Sequence, residues 1–206
     1  MKKFYILNFI YAFCVFPLTA QLMSVESSAF TANDIQFESS ELKIALSQDI
    51  DGLMSKVIKW RHHLHEYPEL GNREFKTSKY IADILNNLGL EVNTGIAYTG
   101  ITAYIRGEHS GPLIALRADI DALPVTELTN LPYASKETTM YQGNKVGVMH
   151  ACGHDAHVAV MLGVADFLSR NTDKLHGDIL LIFQPAEEGP PEGEEGGAEL
   201  MLKEGI

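Results

Sequence analysis

From Leu42 onward, apolar side chains recur at the three- and four-residue spacing of a helix: Leu42, Ile44, Ala45, Ile50, Leu53, Met54, Val57, Ile58, Trp60 and Leu64. The pattern predicts an amphipathic helix, interrupted near Asp51-Gly52 and ended before Pro68. A second helix is predicted over 75–88, with Tyr80, Ile81, Ile84, Leu85 and Leu88 on one face and Gly89 as its stop. The period then changes. Residues 91–94, 101–106 and 113–118 are short apolar or β-branched runs between glycine-containing turns, and Leu113-Ile114-Ala115-Leu116 lacks alternation, as a strand buried on both faces does. Beyond a loop running through Gly147, residues 156–170 read as a helix with Val160, Met161, Val164, Phe167 and Leu168 on its apolar face. Residues 178–184 then read as another buried strand, around Ile179-Leu180-Leu181-Ile182-Phe183. Helices alternating with buried strands predict an α/β class, a layered sheet with helices on both faces.

The chain ahead of this domain has a different character. Lys2 and Lys3 precede an apolar run from Phe4 to Phe16, and Ala20 closes Pro17-Leu18-Thr19-Ala20 as a small residue at a cleavage point, so residues 1–20 are expected to be a secretory signal peptide. The run is broken by Asn8 and is shorter than the ~20 apolar residues a membrane-spanning helix needs. Export to the periplasm or medium follows, with no stable membrane anchor after cleavage. Residues 21–41, rich in Ser and Thr and without a sustained period, read as an exported leader or linker, and 42–206 as the domain. Cleavage would remove Cys14 and leave Cys152 as the sole thiol, which rules out an intrachain disulfide. It would also take Lys2 and Lys3, moving the net charge from −11 to −13, an unfavourable balance for binding nucleic acid.

That lone cysteine sits in the densest chemistry of the chain. His150-Ala151-Cys152-Gly153-His154-Asp155-Ala156-His157 gathers a thiol, three imidazoles and a carboxylate into eight residues. Thiolate and neutral imidazole are strong ligands for zinc and similar ions, and a polar turn opening a helix is the plainer alternative. Two further polar clusters follow predicted strands, where layered α/β sheets place their chemistry. Glu187 and Glu188 follow Gln184-Pro185-Ala186; one carboxylate could bind a metal while its neighbour faces a water, although Glu192, Glu194, Glu195 and Glu199 also fit an acidic surface loop. Asp119 and Asp121 are read as alternating, so that only one projects to a given side and orients a ligating His, with a turn cap before Pro124 as the alternative. Arg117 either neutralises these carboxylates or snorkels. His62, His63 and His65 are read as a helix end without a ligand role, and His109 and His176 as surface residues.

Five motifs in order, His65-Glu66-Tyr67-Pro68-Glu69-Leu70-Gly71, Arg117-Ala118-Asp119-Ile120-Asp121-Ala122-Leu123-Pro124, Leu131-Pro132-Tyr133-Ala134-Ser135, Met149-His150-Ala151-Cys152-Gly153-His154-Asp155 and Phe183-Gln184-Pro185-Ala186-Glu187-Glu188-Gly189, resemble the metal-dependent amidohydrolases that include hippurate hydrolase, bacterial aminoacylases and plant auxin-conjugate hydrolases. The resemblance covers residues from about 55 onward. It implies the catalytic domain of a zinc-exopeptidase-like fold, two divalent ions (zinc or manganese), and hydrolysis of the amide bond of a small N-acyl amino acid or peptide. By position, Cys152, His154 and Glu188 look like metal ligands, Glu187 like the general base acting on water, and Asp121 like the supporting carboxylate. No ligand role carries over to His157, which is expected to serve in packing or behind a ligand. Family members also have an inserted lid and dimerisation domain and two later histidine ligands, whereas the 18 residues after Glu188 contain no histidine. A truncated domain with impaired turnover is therefore expected. A dipeptidase or carboxypeptidase of the same chemistry, and a non-catalytic metal-binding remnant, are the competing expectations.

Overall fold

A computed structural model describes residues 4–6 and 40–206, with side chains from residue 44. Apart from Phe4–Ile6 and residues 40–41, the expected signal peptide and leader lie outside the described residues. Phe4–Ile6 forms a short strand, β1. Two helices follow, α1 (Ser40–Glu66) and α2 (Phe75–Asn87). The strands β2 (Glu91–Ile96), β3 (Gly100–Ile105) and β4 (His109–Asp119) come next, then the hairpin β5 (Thr138–Tyr141) and β6 (Asn144–Gly147). Helix α3 (His154–Ser169), strand β7 (His176–Gln184) and helix α4 (Gly197–Lys203) complete the described order.

The main sheet has the order β1-β4-β7-β3-β2. β1 and β7 both run parallel to β4, while β3 is antiparallel to β7 and β2 to β3. The apolar cluster explains how the layers stack. Ile101, Ala103 and Ile105 of β3 and Leu181 and Phe183 of β7 share one core with Leu64 of α1, Ile81 and Leu85 of α2, and Val158, Leu162 and Ala165 of α3. Strand side chains alternate between faces, so α1, α2 and α3 cover the same side of the sheet. Thr102, Tyr104, Leu180 and Ile182 turn to the opposite side, which α4 approaches at the strand ends: a Cβ on Gly100 would stand 3.0 Å from the Met201 methyl.

Two helix expectations change. α1 continues through Asp51-Gly52 without a break. Glycine in a helix costs about 1 kcal/mol relative to alanine, a local penalty that burial of the adjoining Leu53 and the close crossing of α1 on α3 overcome. At that crossing Gly163 faces Val57 so closely that a Cβ there would come within 2.7 Å of a valine methyl. On α3, Val160 is exposed rather than on the buried face, because α3 lies between α1 and the sheet and its burial follows two contact surfaces instead of one stripe. The β5–β6 hairpin occupies what reads as loop, since its exposed strands carry no apolar alternation. Among the described residues no helix is long and apolar enough to cross a membrane.

Phe183, fully buried where β7 meets β3, is the strongest test of this core. Phe183→Ala should cost about 3–5 kcal/mol in urea unfolding, whereas Val160→Ala on the exposed side of α3 should stay within about 0.5 kcal/mol of the unaltered chain.

Candidate metal centre

The parallel strands β4 and β7 end side by side, with Asp119 opposite Gln184 and the Ile120 amide donating to the Gln184 carbonyl at 3.0 Å. Asp121 and the Glu187-Glu188 pair therefore leave neighbouring strand ends at the same edge. α3 starts at the same place. Gly153, at φ +94, turns the chain sharply into His154, the first residue of α3, and puts Cys152 and His154 on either side of that turn.

The ligating atoms of Cys152, His154 and Glu188 all lie within 4.8 Å of one another. His154 is buried, and its ring is oriented from behind. Nδ1 donates to the Asp121 carbonyl at 2.9 Å and lies 3.2 Å from Asp121 Oδ1, which leaves Nε2 facing Glu187 Oε2 at 3.7 Å and Glu188 Oε1 at 3.8 Å. Asp121 Oδ2 in turn accepts the Glu188 amide at 2.9 Å. The five residues singled out by sequence, Glu187, Asp121, Cys152, His154 and Glu188, thus converge. Asp119 converges too. It and Asp121 are two residues apart and both turn inward, contrary to the expectation that only one projects to this side; a two-residue step returns a strand side chain to the same face. Asp119 lies 3.3 Å from Arg117 Nε, which settles Arg117 as its neutralising partner, and 3.9 Å from His157 Nδ1. Asp119, His154 and His157 form a second cluster of metal-ligating type, so His157 stands nearer the centre than expected. Both clusters need His154, and with Nδ1 committed to Asp121 its single free nitrogen can serve one ion at a time.

The electrostatics fit a cation. Burial pushes the Asp119 and Glu187 carboxyls upward, and each is raised further by the other carboxylates of the site. A hydrogen bond to Glu188, burial, and the charges of Glu188, Glu187 and Asp119 push the Cys152 thiol up to about 11. Burial disfavours a charged His154, but the hydrogen bonds and charge of Asp121 outweigh it and push His154 up to about 9. Without a metal the imidazolium is the centre's main positive charge. A divalent ion would take over that role and favour the thiolate, the usual inversion at metal sites.

A supporting shell escaped the sequence reading. His65, expected as part of a plain helix end, is buried, with Nδ1 2.9 Å from Asp155 Oδ2 and Nε2 3.3 Å from Glu127 Oε1. It ties α1 to the start of α3 and to the loop that Glu127 closes through the Ser135 amide. His62 stacks on Tyr133 and His63 on Tyr80, while His109 and His176 stack on each other at an exposed sheet end, as surface residues. His150 is buried with neither ring nitrogen hydrogen-bonded among the described residues, and burial pushes it down to about 4 against the pull of Asp155, so it stays neutral. Glu74, just ahead of α2, is fully buried; its carboxylate accepts the Thr99 hydroxyl at 2.6 Å and the Ala186 amide at 2.9 Å. In the sequence, only the motif that ends at Gly71, three residues earlier, lies near this segment.

A layered α/β sheet with a thiol, an imidazole and paired glutamates at its strand ends brings together donors that suit a divalent metal ion. Residues 115–206 match the model of peptidase family M20/M25/M40. Thermostable carboxypeptidase 1 of Saccharolobus solfataricus is 46% identical over 162 residues, 78% of this chain and 38% of that protein. N-acetyl-L-cysteine deacetylase of Bacillus subtilis is 49% identical over 140 residues, 68% of this chain and 32% of its own length. The crystal structure of Bacillus subtilis YxeP, described as a dinuclear metal binding peptidase from the M20 family, matches with a TM-score of 0.60 and 44% identity, covering 67% of this chain and 36% of that one. The chain thus spans between about a third and two fifths of the length of these relatives.

Glu74 gives the centre's surroundings a measurable pH signature. Burial pushes its carboxyl up to about 7 from an ordinary 4.5, against the hydrogen bonds from Thr99 and Ala186 that pull it down. A raised carboxyl pKa means that the folded state holds a proton the unfolded state has lost, so the penalty is absent below the unfolded value, grows between pH 4.5 and 7, and is constant above. Relative to Glu74→Gln, the unaltered chain should lose up to about 3 kcal/mol of stability across that window, read as the difference between their denaturation midpoints at pH 4.5 and pH 8.

Proposed function

We propose that this protein hydrolyses the amide bond of N-acyl amino acids with divalent ions, zinc or manganese, held in part by Cys152, His154 and Glu188. The observation that carries the reading is the separation of roles in one acidic turn: Glu188 clusters with Cys152 and His154, while the adjacent Glu187 faces the same space and belongs to neither ligand cluster. A divalent ion at this centre supplies Lewis acidity toward the amide carbonyl and an acidified water. Glu187, more than a third exposed and with its carboxyl raised by burial and by Asp119, accepts the proton of the attacking water and returns it to the leaving amine. Asp121 fixes the His154 ring through its backbone carbonyl and the Glu188 backbone through its carboxylate, so that both ligands are set from one residue.

The substrate class rests on the relative named a deacetylase of an N-acetyl amino acid, and the specific observation favouring a second reading is the 46% identity to a carboxypeptidase. N-acetyl and N-benzoyl amino acids should be turned over faster than dipeptides when the complete protein is assayed with added zinc or manganese; the reverse ranking would support the peptidase reading. Glu187→Gln should lower kcat by roughly 10²- to 10⁴-fold while leaving the metal content, measured by atomic absorption, unchanged. Metal should also slow thiol labelling of Cys152, and equal labelling rates with and without metal would remove Cys152 from the ligand set. Metal binding without turnover of any amide would leave a non-catalytic metal-binding protein. The same proposal includes export, supported by Lys2, Lys3 and the apolar run that follows, and a mature form beginning after Ala20 in the extracytoplasmic fraction is its expected mass-spectrometric signature.

A further inference from the structure

The turn carrying Glu187 and Glu188 is held at alternate amides by two carboxylates from different parts of the chain. Asp121, beyond β4, accepts the amide of Glu188 at 2.9 Å, and Glu74, ahead of α2, accepts the amide of Ala186 at 2.9 Å. Glu187 projects between these two fixed points. Ala186 itself adopts a left-handed conformation at φ +45, which a residue with a Cβ keeps only when its surroundings hold it. Those surroundings come largely from residues 71–74. A Cβ on Gly71 would stand 2.7 Å from the Gly189 carbonyl and 3.1 Å from Ala186 Cα, so the backbone at 71 lies directly against both limbs of the turn. Asn72 Nδ2 donates to Glu194 Oε2 and to the Glu195 carbonyl at 3.1 Å each, and Arg73 donates to both Glu194 oxygens at 3.0 and 2.6 Å, closing the outer end of the same loop.

Within this clamp Glu74 is the unusual member. It has no exposed surface, no cationic partner among the described residues, and a second hydrogen bond, from Thr99, that stops its carboxylate from swinging away. A buried carboxylate is a costly way to fill space, since an apolar side chain of similar volume would do so without desolvating a charge. What it supplies that an apolar side chain cannot is an acceptor of fixed reach for an amide that the turn points inward and that no strand or helix can satisfy.

We infer that Glu74 is a positioning residue for the metal centre: by fixing the Ala186 amide it sets the direction in which Glu187 and Glu188 leave the chain. This inference rests on the metal-centre reading above. The requirement is for length and an acceptor oxygen rather than for charge. Glutamine at 74 keeps both, its amide oxygen accepting from Ala186 and its amide nitrogen donating to the Thr99 hydroxyl. Aspartate keeps the charge but is one methylene too short to reach Ala186 while remaining bonded to Thr99.

Cobalt(II) titration of the purified chain tests this without any assay of turnover, because a thiolate ligand gives cobalt a charge-transfer absorption that Cys152→Ser should abolish. Glu74→Gln should bind cobalt within about twofold of the unaltered chain and give the same spectrum. Glu74→Asp should fold, as judged by its circular dichroism, and bind at least tenfold more weakly with an altered band. Binding by Glu74→Asp within twofold of the unaltered chain would overturn the inference, as would a tenfold or greater loss in Glu74→Gln, which keeps both the length and the acceptor oxygen. An unaltered chain whose cobalt spectrum does not differ from that of Cys152→Ser would overturn the metal-centre reading and this inference with it, an outcome distinguishable from the other two.

Discussion

Asp121 holds the centre together. One residue beyond the central strand pair, it gives its carbonyl and one carboxylate oxygen to His154 Nδ1 and the other oxygen to the amide of Glu188. Three chain segments, the end of β4, the start of α3 and the turn after β7, meet at this residue, above the Asp119–Gln184 register. A neutral replacement could keep one of the bonds, but not both with the same charge behind the imidazole. The parallel pairing of β4 with β7 matters for that reason: it delivers the two strand ends at equal height, which no antiparallel pair joined by a short turn would do.

The rest of the centre follows from crowding acidic groups around that point. Glu187, Glu188, Asp119 and Asp121 surround one buried imidazole: burial lifts the Asp119 and Glu187 carboxyls first and neighbouring carboxylates lift them further, while negative neighbours also raise the Cys152 thiol and hold the proton on His154. Arg117 relieves it at the rim, next to Asp119. Behind the centre, His65 between Asp155 and Glu127 links the first turn of α3 to α1 and to the 127–135 loop, so the helix that presents His154 is anchored by polar contacts at its first turn and by apolar ones along its length.

Much of this was legible in the sequence, and the limits are instructive. The strands were readable because Leu113-Ile114-Ala115-Leu116 and Ile179-Leu180-Leu181-Ile182-Phe183 are apolar without alternation, and the clustered His, Cys and Glu motifs marked the centre before any geometry was known. Helix α1 was misjudged at Gly52 because a local penalty of about 1 kcal/mol is visible in sequence while the packing of Leu53 and Val57 that exceeds it is not. His65 and Glu74 were missed for a related reason. Each earns its place through a partner 25 to 112 residues away, Thr99 and Ala186 for Glu74 and Asp155 for His65, and sequence spacing carries no trace of such pairings. The two aspartates were assigned to opposite sides by overlooking that a strand repeats every second residue.

The left-handed backbone at Ala186 bears on how a ligand would be received. A turn locked into a rarely populated conformation has few alternatives to explore, so Glu187 and Glu188 have lost most of their backbone freedom when the chain folds rather than when an ion or substrate arrives. Folding stability carries the ordering of this acidic turn, and association is left free of that entropic burden, which is why a conformation unfavourable to the isolated chain can be an advantage at the site it shapes.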